Sequence, residues 1–252
     1  MNASMRGRRF FITGAAKGIG LACTSRLVDG GARVAAFDRD ETAVAQLASR
    51  FGERVLATSG DVASSAEVNE AVNIAADRFG GLDGLICSAG IDLVMPLEET
   101  DDQSWRRLFS VNLDGCMHAC RAVLPHLRTA GGGTIVNVSS AAGLQPLRDR
   151  TAYSASKAAL QMFSKALAME AAEYNIRVNA VCPGAVETAL LRESIDAAPD
   201  AADARATIRR RYALGRIADA DEIAAAILWL SSDEASYVTG TAMAVDGGRT
   251  FH

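Results

Sequence analysis

The chain has 252 residues, 49% of them hydrophobic, enough to bury one full core but not to build several large domains. Lys and Arg number 26 against 30 Asp and Glu, a formal charge of −4 with the basic residues scattered, so no nucleic-acid partner is expected. The first nine residues carry three arginines, but the apolar run Phe10-Phe11-Ile12 stops at Thr13-Gly14, too short for a secretion signal or a membrane span.

Apolar, β-rich runs predict strands over residues 8–12, 33–37, 55–58, 84–87, 134–138, 176–182 and 242–245. Helical spacing predicts helices over 19–29, 41–51, 67–79, 102–128 and 153–174. Strands that alternate with helical crossovers imply a parallel sheet covered on both faces, in one domain over 1–252. Residues 195–211 are rich in Ala, Asp and Arg and weakly apolar, and are expected to be a mobile insertion within a substrate-covering segment, 186–215. Five cysteines, an odd number in apolar surroundings, read as free buried thiols in a reducing, cytoplasmic setting. Cys116, His118 and Cys120 suggest a metal cluster, but on a helix His118 points away from the two cysteines, so a surface histidine and no metal site are expected.

After the first strand comes Thr13-Gly14-Ala15-Ala16-Lys17-Gly18-Ile19-Gly20, which opens the first helix. Backbone N–H groups and the helix dipole can meet a pyrophosphate there. A tight strand-to-helix turn alone would want the same glycines. Asp38 closes the second strand, where a carboxylate can accept from both adenine-ribose hydroxyls; this favours NAD over NADP. Lys17 and Arg39 lie near enough in sequence to compensate a 2′-phosphate in part, and Asp38 could instead cap the helix before Arg39-Asp40-Glu41.

Further along, Tyr153-Ser154-Ala155-Ser156-Lys157 puts Tyr and Lys on one helix face. A phenol of ordinary pKa, about 10, is a poor base near neutrality; a nearby ammonium would lower that value and make Tyr153 a usable acid or base. Ser140 follows the fifth strand, at the sheet edge where ligands collect.

With these residues the chain resembles the short-chain dehydrogenase/reductase family over essentially its whole length. The resemblance rests on the turn from Thr13 to Gly20, Asp61-Val62 after the third strand, and Asn112. It extends to Ser140 thirteen residues before Tyr153, to Lys157, to Pro183-Gly184 with Thr188, and to Val245-Asp246-Gly247-Gly248. It implies a Rossmann-type doubly wound fold and an oxidoreductase that interconverts an alcohol and a ketone with a nicotinamide cofactor and no metal. By the same resemblance Tyr153 exchanges the proton and Ser140 hydrogen-bonds the substrate oxygen. Lys157 lowers the Tyr153 pKa and binds the nicotinamide ribose, and Asn112 holds a relay water. The family's cofactor contacts fall here on Gly14, Lys17, Gly18, Ile19, Gly20, Asp38, Arg39, Asp61, Val62, Ser88, Ala89 and Gly90, with Pro183, Gly184, Val186 and Thr188 at the nicotinamide end. One departure is Cys87-Ser88-Ala89-Gly90, where the family usually has Asn in place of Ser88.

Gln145 and Arg148-Asp149-Arg150 either reach a polar substrate group or form a solvated loop. A small polyol, sugar or hydroxy acid is the expected substrate class. A 3-oxoacyl-carrier-protein reductase is the alternative, which Asp38 and the net charge oppose; an NAD-binding sensor or scaffold is the non-enzymatic one. Small and apolar residues on the two long helices (Cys116, Ala119, Cys120, Ala158, Ala159, Met162, Phe163, Ala166) exceed what one sheet face covers. The resemblance makes these helices a homotetramer interface.

Overall fold

The computed structural model describes residues 5–196 and 200–251. Seven strands form one parallel sheet: β1 (Arg9–Thr13), β2 (Arg33–Asp38), β3 (Val55–Ser59), β4 (Gly84–Cys87), β5 (Gly133–Val138), β6 (Ile176–Pro183) and β7 (Ala242–Val245), in the order β3-β2-β1-β4-β5-β6-β7. The helices are α1 (Gly18–Asp29), α2 (Glu41–Phe51), α3 (Ser65–Phe79), α4 (Asp102–Phe109), α5 (Gly115–Thr129), α6 (Thr151–Ala171), α7 (Ala189–Asp196), α8 (Ala201–Arg210) and α9 (Ala220–Leu230).

The strands are apolar on both faces because both faces are covered. Phe11, Leu85, Ile135 and Val178 pack with Val68 of α3, Ala119 of α5 and Leu160 of α6. The alternate residues Ile12, Val34, Ile86 and Val136 pack with Leu27 of α1, Leu47 of α2 and Ile227 of α9. Strand order reverses between β1 and β4, so the loops leaving those strands splay apart and open a crevice at their carboxyl ends.

Three expectations change. The helix expected over 102–128 is α4 and α5 joined by one wide turn, Ser110–Asp114, in which the Gly115 N–H bonds the Ser110 carbonyl. Such a turn inserts a residue without breaking the apolar stripe, so 3.6-residue periodicity cannot reveal it. The helix expected over 153–174 starts at Thr151 and ends in a tight turn, Ala172–Tyr174. The 195–211 stretch carries the end of α7 and the whole of α8, whose first turn is capped by Asp200; Ala197–Pro199 lie outside the described residues. No helix among the described residues is long and apolar enough to cross a membrane.

Candidate active site

The Gly-rich turn is shaped by two close approaches. Gly14 has φ +64°, and a Cβ there would lie 2.6 Å from the Ala89 nitrogen; a Cβ on Gly20 would lie 2.0 Å from the Gly14 carbonyl oxygen. Gly20 therefore serves the packing of α1 on the loop and is not among the residues that line the cavity. The α1 N-terminus, like that of α6, has no side-chain cap and no acid in its first turn. α2, α3, α4 and α8 are capped by the side chains of Asp40, Ser64, Asp101 and Asp200, whereas Lys17 at the head of α1 supplies no cap and the first turn holds no acid. Its leading N–H groups are left for an anionic ligand, the donor set a pyrophosphate requires.

A cavity of about 870 Å³ runs along the carboxyl ends of the strands. Gly14, Lys17, Gly18 and Ile19 line one end beside Asp38 and Arg39, and Asp61, Val62, Ser88, Ala89 and Gly90 continue the wall. Asp38 accepts from the Ala16 N–H at 3.0 Å and the Asp40 N–H at 3.1 Å. The cap of α2 is Asp40, which accepts from the Ala43 N–H at 2.9 Å, so Asp38 is not that cap. Lys17 pairs with Asp40 at 2.7 Å, and this partner holds the Asp40 carboxyl below its usual range. Burial raises the Asp61 carboxyl, but the Ala63 N–H and Arg107, 3.0 Å away, outweigh it and leave the pKa lowered. Ser88 meets Thr13 through the backbone, its N–H donating to the Thr13 carbonyl at 3.1 Å.

At the other end Ser140, Tyr153 and Lys157 share the wall with Pro183, Gly184, Val186 and Thr188. Ser140 accepts from the Ala142 N–H at 3.0 Å, which orients its hydroxyl at the end of β5. Lys157 is buried, donates to the Val138 carbonyl at 3.1 Å, and sits 5.8 Å from the centre of the Tyr153 ring. The expected depression of the Tyr153 pKa is corrected. Burial first, then the charge of Asp92, push the phenol up to about 12, against a lowering hydrogen bond with Ser140. Burial likewise lowers the pKa of Lys157.

Asn112 is fully buried and does not line the cavity. Its amide accepts from the Ile91 N–H at 2.9 Å and donates to the Ile91 carbonyl at 3.0 Å and to Ser156 Oγ at 3.2 Å. Both amide hydrogens are taken, so the Asn112 side chain pins the loop after β4 to α6. Gln145 is exposed and outside the cavity, as is Arg148; of that loop, Leu147 and Arg150 line it. His118 is half-buried, not a surface residue, with Nδ1 3.0 Å from the Val62 carbonyl. All five cysteines are free and buried, and no metal-binding group of His, Cys, Asp and Glu occurs among the described residues.

Sequence reasoning missed several wall residues. Asp92 pairs with Arg150 at 2.6 Å, and Arg150 also donates to Ser194 Oγ at 3.1 Å, tying the β4 loop and the start of α6 to α7. Ser139 Oγ donates to the Lys157 carbonyl at 2.9 Å and accepts from Gln161 at 3.1 Å, bracing the reacting end from behind. Tyr212 and Arg249 reach the cavity from segments distant in sequence, and no local pattern marks them.

A family described as enoyl-(acyl carrier protein) reductase matches residues 14–250. The chain is 40% identical over 253 residues to cis-4-hydroxycyclohexanecarboxylate dehydrogenase of Sinomonas cyclohexanicum, covering 99% of each chain. It is 38% identical to D-threitol dehydrogenase of Mycolicibacterium smegmatis, over 97% of this chain and 93% of that one. The crystal structure of a 3-ketoacyl-(acyl-carrier-protein) reductase from Brucella melitensis, complexed with NADH, superposes with TM-score 0.91 at 32% identity, covering 98% of this chain and all of that one.

Proposed function

The chain belongs to the short-chain dehydrogenase/reductase family and is a nicotinamide-dependent oxidoreductase acting on alcohols and ketones; on that premise we propose how its residues divide the work. The observation that carries the reading is the shared wall of Ser140, Tyr153 and Lys157 at one end of a cavity whose other end is the uncapped α1 and Asp38. The bound dinucleotide supplies the hydride acceptor or donor. The open N–H groups at the head of α1 hold its pyrophosphate, and the two outward lone-pair sites of Asp38 accept from the adenine ribose, which favours NAD. Lys17 is held by Asp40 and so is a weak candidate for a 2′-phosphate. The NADH complex of the Brucella reductase supports a nicotinamide cofactor at this site.

At the reacting carbon, the Tyr153 phenol gives its proton to the substrate oxygen in reduction and takes it back in oxidation. Ser140 hydrogen-bonds that oxygen, and Lys157 presents its ammonium to the nicotinamide ribose and the phenol. Pro183, Gly184, Val186 and Thr188 set the position of the nicotinamide end. The test is the absorbance of reduced nicotinamide across an alcohol and ketone panel, with Tyr153→Phe as the inactive control. Relatives that act on a hydroxycyclohexanecarboxylate and on threitol support a small cyclic alcohol, polyol or hydroxy acid as substrate. The Brucella likeness favours one rival, a carrier-protein thioester, and faster turnover of such a thioester than of any free alcohol or ketone would establish it.

The assembly we propose is a homotetramer through α5 and α6. Cys116, Ala119 and Cys120 are spent in the protomer's own core, which leaves the apolar surplus on α6 at Ala158, Met162, Ala166 and Met169. Met162 is 63% and Met169 83% exposed. The five buried free thiols support a reducing, cytoplasmic address.

A further inference from the structure

Two of the five arginines that line the cavity are matched by carboxylates, Arg107 by Asp61 and Arg150 by Asp92. Arg249 is not. It follows β7, is 7% exposed, and lines the reacting half of the cavity with Tyr153, Arg150, Arg211 and Tyr212. Its Nη2 donates to the carbonyls of Gln145 at 2.7 Å and Pro146 at 3.2 Å, while Nη1 is closed from solvent and has no acceptor. Asp246, the acid whose charge reaches it, is engaged elsewhere. Its Oδ1 accepts from the Gly248 N–H, and its Oδ2 accepts from the Thr250 N–H and hydroxyl.

Four buried side-chain polar atoms lack a partner among the described residues, and the other three are hydroxyl oxygens. Arg249 alone leaves a charged group unfilled, in a region where Arg211 and Arg150 add positive charge and burial already lowers its pKa. Asp92 neutralises Arg150; Arg211 is exposed on the same wall. A buried guanidinium with an empty donor and like charges around it is costly unless an anion completes it. Tyr212, whose hydroxyl accepts from the Ala185 N–H at 2.8 Å, stands between this charge and the nicotinamide-end loop.

We propose that the substrate carries a carboxylate remote from the carbon that is oxidised, and that Arg249, with the more exposed Arg211 beside it, binds that carboxylate. With Nη2 held by the two loop carbonyls, Nη1 is the donor that one carboxylate oxygen completes, and Arg211 meets the other, which orients the molecule so that its carbinol reaches Tyr153. The reaction remains that of the proposed oxidoreductase, on which this inference rests. Arg249 is a substrate-positioning residue, not a proton donor.

Steady-state oxidation of 4-hydroxycyclohexanecarboxylate, its methyl ester and cyclohexanol by the full chain with NAD tests this. The wild type should favour the carboxylate over the ester in kcat/KM by at least about tenfold. Arg249→Met should collapse that preference by about 10- to 100-fold, mainly through KM, the size expected for a lost charge-assisted contact. Arg249→Met could loosen the Gln145–Pro146 loop, so Arg211→Met, at an exposed position, is the second variant and should lower the preference several-fold with unchanged melting temperature. Equal use of acid and ester by the wild type overturns the carboxylate site while leaving the oxidoreductase reading intact. Absence of turnover on any alcohol or ketone defeats that reading instead. Calorimetric binding of cyclohexanecarboxylate, which has no carbinol, to the NADH-loaded protein then decides the site: binding weakened by Arg249→Met supports it, and binding unaffected or absent overturns it.

Discussion

Replacing Asp38 with Ala tests the cofactor reading most directly. A carboxylate offers about four lone-pair sites; two are used by the Ala16 and Asp40 N–H groups at 3.0 and 3.1 Å, which leaves two for a ribose diol. Each charge-assisted hydrogen bond contributes about 1.5–3 kcal/mol. With water replacing part of that, Asp38→Ala should weaken NADH binding by about 30- to 100-fold. Removing a like charge near a 2′-phosphate is worth about 1 kcal/mol at solvent-exposed separations, so NADPH should gain about fivefold. The selectivity ratio should therefore move by roughly 150- to 500-fold. The variant also leaves the Ala16 N–H without its acceptor, a loss of about 1 kcal/mol that should lower Tm by about 2–4 °C in a domain of this size. Asp38→Asn keeps an acceptor for the loop but not the charge, so it should separate the two effects. Nicotinamide fluorescence titration with each reduced cofactor reads the ratio. Tighter binding of NADPH by the wild type, or an unmoved ratio in Asp38→Ala, would refute the reasoning.

Tyr153→Phe should cut turnover about 1,000-fold with cofactor Kd nearly unchanged, whereas Lys157→Ala should lose both rate and affinity; substantial residual activity in Tyr153→Phe would remove the phenol from the chemistry. Because burial and Asp92 push Tyr153 up to about 12, the protonated phenol is the resting form. Oxidation needs the phenolate, so its kcat/KM should keep rising across the alkaline range, while reduction, which uses the phenol, should not rise. Asp92→Asn removes the repelling charge and should move the oxidation profile toward lower pH; a wild-type plateau near neutrality would contradict this. Light scattering should give a tetramer, and Met162→Arg with Met169→Arg should yield smaller species. A wild-type monomer at micromolar concentration would rule that assembly out.

The strand-and-helix alternation and the nucleotide end were legible because they are local. Apolar runs, a glycine turn and an acid closing β2 lie within thirty or so consecutive residues, and backbone sterics force the Gly14 and Gly20 choices wherever the loop is met. Tyr153 and Lys157 were legible for the same reason, one helical turn apart. The wide turn at Ser110–Asp114 was not, since it preserves the apolar pattern while rotating Asn112 into contact with Ile91 and Ser156. Nor was the direction of the Tyr153 shift: spacing puts an ammonium nearby, but only packing determines how much water is excluded and that Asp92 lies within range. The pairing of Asp92 with Arg150 and the unfilled Arg249 join residues scores of positions apart. Sequence alone determined which backbone would form and where the glycine turn and the phenol fall. Tertiary structure decided which charges are compensated, because that depends on burial and on distances between strand ends that no local pattern encodes.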